Sequence, residues 1–318
     1  MQRPSDSSPM STSLMNTSQI QPYPSSLKQK TPSQSACSQK MRSRFIPERR
    51  AGLRLESRDE ALLADLFLHR AMSRSQIQAL YFSSVVRCNV RLRLLFDHHY
   101  VSRYYLPLAP FGAQAIYAIG KAAVPLVAAR LNMDITEVGQ QYRRAKTPQF
   151  LAHTLEIVNL RLAFQNAATE RTNIEVERWL PEIQCRHEYE MRAESNTWRK
   201  EVFKPDAFMR LKKRDSGDYL NYFVEVDLGH TSSRQFLGKL HAHHRYLDTG
   251  LFQETFGCNR FHTLVVTTGM GRLNNLRRLV EAHKSELFWF TTYDRIREFG
   301  LMAAIWQVPF ADAAYTLA

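Results

Sequence analysis

Three carboxylates stand out by type and spacing: Asp206 in Lys204-Pro205-Asp206-Ala207, and Glu225 and Asp227 in Phe223-Val224-Glu225-Val226-Asp227. Side chains two apart on a strand point the same way, so Glu225 and Asp227 share a face. With Asp206 on the neighbouring strand of a hairpin, all three meet at one spot. Such a cluster repels itself unless cations occupy it. Hard oxygen donors favour Mg²⁺ or Mn²⁺, and a divalent ion beside DNA polarises a phosphodiester and activates a water or hydroxyl nucleophile. The plainer alternative pairs the strand carboxylates with Arg210, Lys212 or Lys213. The setting favours the ion, because Pro205-Asp206 precedes an apolar strand carrying the two acids and then a helix carrying Lys239.

Other polar residues are less pointed. His241, His243 and His244 read as the polar face of that following helix. His153 and Glu156 share an earlier helix face and either border the carboxylates or form a buried hydrogen-bonded pair. Cys37, Cys88, Cys185 and Cys258 lie far apart without a C-x-x-C pair, which argues against a disulfide framework or a sequence-local zinc site.

The elements that must position the acids follow from periodicity. Phe150–Ala168 reads as a long amphipathic helix. Strands are expected at Ile183–Met191, Val202–Leu211, Tyr219–Leu228, Phe261–Thr267 and Leu287–Thr291, with helices at Ser233–Leu247 and Arg272–Lys284. A meander followed by a crossover predicts a mixed sheet flanked by helices, an α/β (α+β) domain over 149–300, followed by a tail over 301–318.

Ahead of it lies a different pattern. Leu62, Leu63, Leu66 and Phe67 have helical spacing, Ser73 and Gln76 form a capping box, and Val85, Cys88, Leu92, Leu95 and Phe96 fall on one face of a third helix. Strand-like Tyr100–Leu106 and Gln114–Ile119 follow, joined by a turn over Pro107–Gly112. Three helices and a hairpin predict a winged helix-turn-helix over 51–135, with a polar linker at 136–148. Arg87, Arg91 and Arg93 lie off the apolar face of the third helix and Arg103 lies on the hairpin, which makes them the candidate contacts to double-stranded DNA.

Charge distribution agrees. The 318 residues carry 43 Lys and Arg against 30 Asp and Glu, a formal net charge of +13. Residues 1–50 have an excess of six, residues 51–130 an excess of five, and residues 131–318 an excess of two. The positive charge is therefore concentrated where a polyanion would be held. Residues 1–50 are Ser-, Thr-, Gln- and Pro-rich and read as a disordered basic tail. Mean hydropathy is −0.38, no apolar run reaches the roughly 18 residues of a membrane span, and no signal-peptide core opens the sequence. The expectation is a cytoplasmic protein.

Pro205-Asp206 followed by Glu225-Val226-Asp227 resembles the PD-(D/E)xK signature of restriction-endonuclease-like nucleases, whose core runs αβββαβ. With a winged helix placed ahead of it, the chain resembles the replication-relaxation family of plasmid and mobile-element proteins, related to plasmid mobilisation relaxases. The residues carrying this are His153-Thr154-Leu155-Glu156 with Asn159, Pro205-Asp206-Ala207, Phe223 through Gly229, and Lys239-Leu240 with Tyr246. The resemblance implies that Asp206 and Glu225 hold the metal and that Lys239 or Tyr246 lies close to the DNA phosphate. The position two after Glu225 is lysine in active nucleases of this class and is Asp227 here. Lys239 is the candidate to reach in and steady the phosphorane charge instead. The function implied is DNA binding near an origin with Mg²⁺-dependent nicking or relaxation, by a homodimer or with replication and mobilisation partners. The alternative is a sequence-specific DNA-binding regulator with an inactive nuclease-like domain.

Overall fold

The structure, a computed structural model, describes residues 47, 52–108, 112–144, 146–192 and 197–317. The expected basic tail lies outside the described residues apart from Pro47, as does the tip of the hairpin turn. The fold is mixed α/β.

The chain begins with α1 (Ser57–Leu68), β1 (Met72–Ser73), α2 (Arg74–Tyr81) and α3 (Val85–Asp97), then a hairpin of β2 (Val101–Leu108) and β3 (Gly112–Ile119). The capping box at the start of α2 forms as its sequence dictates: Ser73 Oγ accepts from Gln76 N, and Gln76 Oε1 accepts from Ser73 N. β1 pairs with β3, giving a three-stranded sheet in the order β1-β3-β2. Gly120 closes this sheet, because a Cβ there would lie 2.2 Å from the His99 carbonyl oxygen. Leu62, Leu66, Ile77, Cys88, Leu92 and Leu95 are fully buried in one core. Val85 was expected on that apolar face but is exposed.

A single 3₁₀ turn leads to α4 (Val124–Leu131) and α5 (Ile135–Arg143). α5 replaces most of the expected polar linker. Asp134 caps it by accepting from Thr136 N and Glu137 N, and Val138 is fully buried against the helical core. Only one face of α5 is apolar, so its composition resembles that of a loop.

α6 (Pro148–Glu170) contributes to three buried clusters, in one of which its Leu151 and Leu155 meet Leu106 and Ile116 of the hairpin. Val158 packs with α1–α3, while Ile157, Leu160 and Phe164 pack under the larger sheet. Polar joints fix it to the helices. Gln76 Nε2 donates to Leu155 O and Asn159 Oδ1. Arg161 donates to Asp65 at 2.9 Å and to His69 Nε2 at 2.7 Å. Burial, with Arg161 reinforcing it, lowers the His69 pKa to about 3, so the ring is neutral and accepts.

Next come β4 (Ile174–Pro181), α7 (Glu182–Cys185), β5 (His187–Arg192), β6 (Trp198–Phe203), β7 (Ala207–Lys213) and β8 (Tyr219–Asp227). They are followed by α8 (Ser233–Thr249), α9 (Leu251–Phe256), β9 (His262–Thr267), α10 (Met270–Ala282), β10 (Phe288–Thr292), α11 (Tyr293–Phe299), β11 (Trp306–Gln307) and β12 (Ala314–Tyr315). Seven strands form a mixed sheet in the order β12-β11-β10-β9-β8-β7-β4. β8, β9 and β10 are parallel, and β4, β7 and β8 form an antiparallel meander.

Two expectations shift here. The strands expected at Ile183–Met191 and within Val202–Leu211 are instead β5 and β6, a separate two-stranded ribbon, plus β7. The break between β6 and β7 falls at Lys204-Pro205-Asp206, because Pro205 has no N–H for a ladder. The segment expected as a tail supplies β11 and β12 and buries Trp306 completely. Among the described residues, no helix is long and apolar enough to cross a membrane.

Candidate functional site

The site is built where the antiparallel part of the sheet runs out. The β7–β8 ladder ends at Ala207 opposite Val224, leaving the Val226 N–H and C=O beyond the last pair. Asp206 Oδ2 accepts from Val226 N at 2.8 Å, and His153 Nε2, from α6, lies 3.1 Å from Val226 O. A carbonyl oxygen only accepts, so His153 carries its proton on Nε2. The same nitrogen is 3.2 Å from Asp206 Oδ2. Asp206 thus takes the place of a missing strand residue.

Glu225 projects from the opposite face of β8, beside Phe223, towards α8. Lys239 Nζ donates to Glu225 Oε2 and lies 4.0 Å from Asp206 Oδ2. His243, one helical turn beyond Lys239, puts Nε2 3.0 Å from Glu225 Oε1, while its Nδ1 is 3.0 Å from Thr263 Oγ1. Asp206 and Glu225 are both buried, and Lys239 reaches them from a half-buried position.

Burial opposes ionisation of Asp206, yet Lys239, His153 and the Val226 N–H together outweigh it and hold its pKa below the ordinary range. The Lys239 ammonium also suffers from burial, but Asp206 and Glu225 raise its pKa above that of a free lysine. Burial lowers and Asp206 raises the His153 pKa, with a net upward shift. Burial lifts the Glu156 carboxyl, against its hydrogen bond from Asn159 and nearby Arg297 and His153. Near these acids, the buried Tyr293 hydroxyl has no hydrogen-bond partner among the described residues.

Asp227 does not join this group. Arg272 of α10 holds it with two bonds, Nε to Oδ2 at 2.7 Å and Nη2 to Oδ1 at 3.1 Å, and Thr267 Oγ1 donates to Oδ2 at 2.8 Å. Arg272 also donates to Thr231 O, so Asp227 anchors the turn that enters α8. Among the described residues, no group of three His, Cys, Asp or Glu side chains is placed to hold a metal ion. The expected three-carboxylate cage is therefore not formed, because facing the same way along a strand does not give two side chains the same partner. What remains, the oxygens of Asp206 and Glu225, is of the hard-donor type that Mg²⁺ prefers, and each carboxylate already accepts from neighbouring groups.

Tyr246 is likewise diverted. It is fully buried, stacked on Phe203 with ring centroids 4.0 Å apart, and its hydroxyl is 2.8 Å from His187 Nδ1. Burial pushes the Tyr246 pKa up to about 12, so it belongs to the core rather than beside a phosphate. The histidines expected on a polar helix face divide in the same way. His243 is buried against Glu225, His244 bonds Ser285 Oγ, and His241 packs edge-on to His283. The i, i+4 spacing of Lys239 and His243, which puts both on one side of α8, is the sequence signal that marks His243 as a partner of the same carboxylate.

The four candidate DNA-binding arginines also separate. Arg91 is tied inward to Asp59, with Nε 3.0 Å from Oδ1, and donates to Arg54 O. Arg93 pairs with Asp97 on the same helix. Arg103 lies over the Phe96 ring, 4.4 Å from its centroid. Arg87 is exposed and, among the described residues, has no partner; Val86 and Val90, also exposed, flank it.

A family model described as replication-relaxation matches residues 63–260. No curated protein and no solved structure matches the chain. The matched span runs from α1 to the loop before β9 and so takes in the helical unit together with Asp206, Glu225, Lys239 and both buried histidines. The chain belongs to the replication-relaxation family.

Proposed function

We propose that this protein binds DNA of a plasmid or other mobile element and nicks or relaxes it. Family membership points to a role in replication or relaxation of mobile elements. α1–α3 with the hairpin are read as a winged helix-turn-helix that holds duplex through the exposed face of α3. The observation that carries the reaction is the meeting of Asp206, Glu225 and Lys239 at the end of the β7–β8 ladder.

Lys239 there supplies the cation that the strand position of Asp227 lacks. It stands between the two acids and would steady charge developing on a phosphate. His153 donates from its other side and orients Asp206. Asp206 and Glu225 are the residues that would hold Mg²⁺, which when bound supplies polarisation of the phosphodiester.

The test is conversion of supercoiled plasmid to open circles, with and without Mg²⁺. Nicking is expected with Mg²⁺ and is expected to fall at least about 100-fold in Asp206→Ala, Glu225→Ala and Lys239→Ala. Nicking that survives all three substitutions overturns the assignment. A second reading, a DNA-binding regulator that does not cleave, has its own support: Lys239, His153 and His243 already occupy oxygens of both carboxylates. It predicts duplex binding with no nicking under any divalent ion.

A further inference from the structure

Beside Asp206 and His153 the chain opens into a cleft of about 410 Å³ between the end of α1, the α5–α6 joint and the start of α7. A second hollow of about 330 Å³ begins on the far side of Phe150 and His153 and shares both residues with the first. Phe150 and His153 therefore border both hollows.

The wall of the first cleft is cationic. Arg70, Arg144, Lys146 and Lys204 line it. Arg70 and Lys204 share one carboxylate, Glu182, at 2.7 and 3.0 Å. Lys146 donates only to the Tyr142 and Arg144 carbonyls, and among the described residues it has no carboxylate partner. Burial first, and the neighbouring Arg70 second, lower its pKa.

Arg70 occupies its place at a cost. It follows the C-cap of α1 with φ of 67°, where glycine closes a helix without penalty. A side chain with a Cβ is strained there. What arginine adds is its side chain, which lies 5.7 Å from the Phe150 ring centroid.

We infer that this cleft takes a single DNA strand, with phosphates on Lys146, Arg144 and Lys204 and a base against Phe150, and leads the strand's next phosphodiester to His153 and Asp206. The inference rests on the reading that the protein acts on DNA. A hollow in the range of small-ligand pockets, roughly 300–1,000 Å³, admits a nucleotide or two and excludes a duplex. Cations in excess of the one carboxylate that Arg70 and Lys204 share, beside an aromatic ring, are the combination that holds single strands.

The experiment is fluorescence anisotropy of the full chain with a labelled oligo-dT and, separately, a labelled duplex, across a salt titration. Thymidine monophosphate serves as competitor. Lys146→Gln with Lys204→Gln is expected to weaken oligo-dT binding about tenfold and flatten its salt slope by about 1.4, with duplex affinity changed less than about twofold. Lys204→Gln alone, at an exposed residue, should lose part of that affinity. Phe150→Ala should weaken oligo-dT binding without altering the slope, and Phe150→Trp should restore it. Unchanged oligo-dT affinity in the double variant, equal weakening on duplex, or competition by the monophosphate as effective as by the oligonucleotide each overturns the inference. A chain that binds duplex but not oligo-dT sinks the strand cleft alone. A chain that binds neither sinks the DNA reading itself.

Discussion

The end of β8 and the outer face of α3 treat charge in opposite ways. At β8, Asp206, Glu225 and Asp227 are buried, and each is matched by basic side chains from helices: Lys239 and His153, Lys239 and His243, and Arg272. On α3, Arg87 stands exposed between Val86 and Val90. Matched, buried charge fixes where elements sit, because removing either partner strands the other in a poorly solvated place. Exposed, unmatched charge costs the fold little and remains available to a polyanion. Arg91 shows that this division does not follow the element, since it lies on α3 yet belongs to the buried class through Asp59.

The largest expected effect lies at that Arg91–Asp59 pair. Asp59 is 0% exposed and also accepts from Glu56 N at the start of α1. Asp59→Ala is expected to lower stability by about 3–5 kcal/mol, read from urea unfolding. A loss below about 1 kcal/mol would place Arg91 with the exposed arginines.

His69 gives the next largest effect, and its sign follows from its folded pKa of about 3, below the roughly 6.5 of an unfolded histidine. Between those values the unfolded chain binds a proton that the native state refuses, so stability falls as pH drops. From pH 7 to pH 5 the loss is expected to be about 2 kcal/mol beyond that of His69→Gln, whose amide still accepts from Arg161. Equal urea midpoint shifts in the two proteins would remove His69 from the buried class.

Asp227→Asn sharpens the contrast within β8 itself. It weakens the link to Arg272 and should lower stability by about 1–2 kcal/mol, while nicking per folded molecule stays within about threefold. A fall as deep as that of Asp206→Ala would return Asp227 to the reacting group. The smallest stability effect belongs to Arg87→Ala, within about 0.5 kcal/mol. Its effect is expected on duplex binding, about tenfold weaker with a salt slope reduced by about 0.9.

Much of the arrangement is legible before folding. Period-3.6 apolar spacing marks α1, α6, α8 and α10, and the capping box marks α2, because these signals lie within a turn or two of chain. β11, β12 and α5 were not legible: two-residue strands have no period, and α5 buries few residues. The Pro205-Asp206 and Glu225 positions were readable because proline ends a ladder and strand alternation assigns a face.

By itself the sequence determined that acids would gather on β8, that a lysine-bearing helix would follow them, and that positive charge would be concentrated ahead of them. Those are local facts of composition and period. Only the tertiary structure decided which acid meets which cation. It sends Asp227 to Arg272, 45 residues away in sequence, brings Lys239 between Glu225 and Asp206, turns Arg91 inward and buries Tyr246. Partners for buried charges are set by how helices pack across a sheet, and that packing is fixed by apolar contacts distant in the chain.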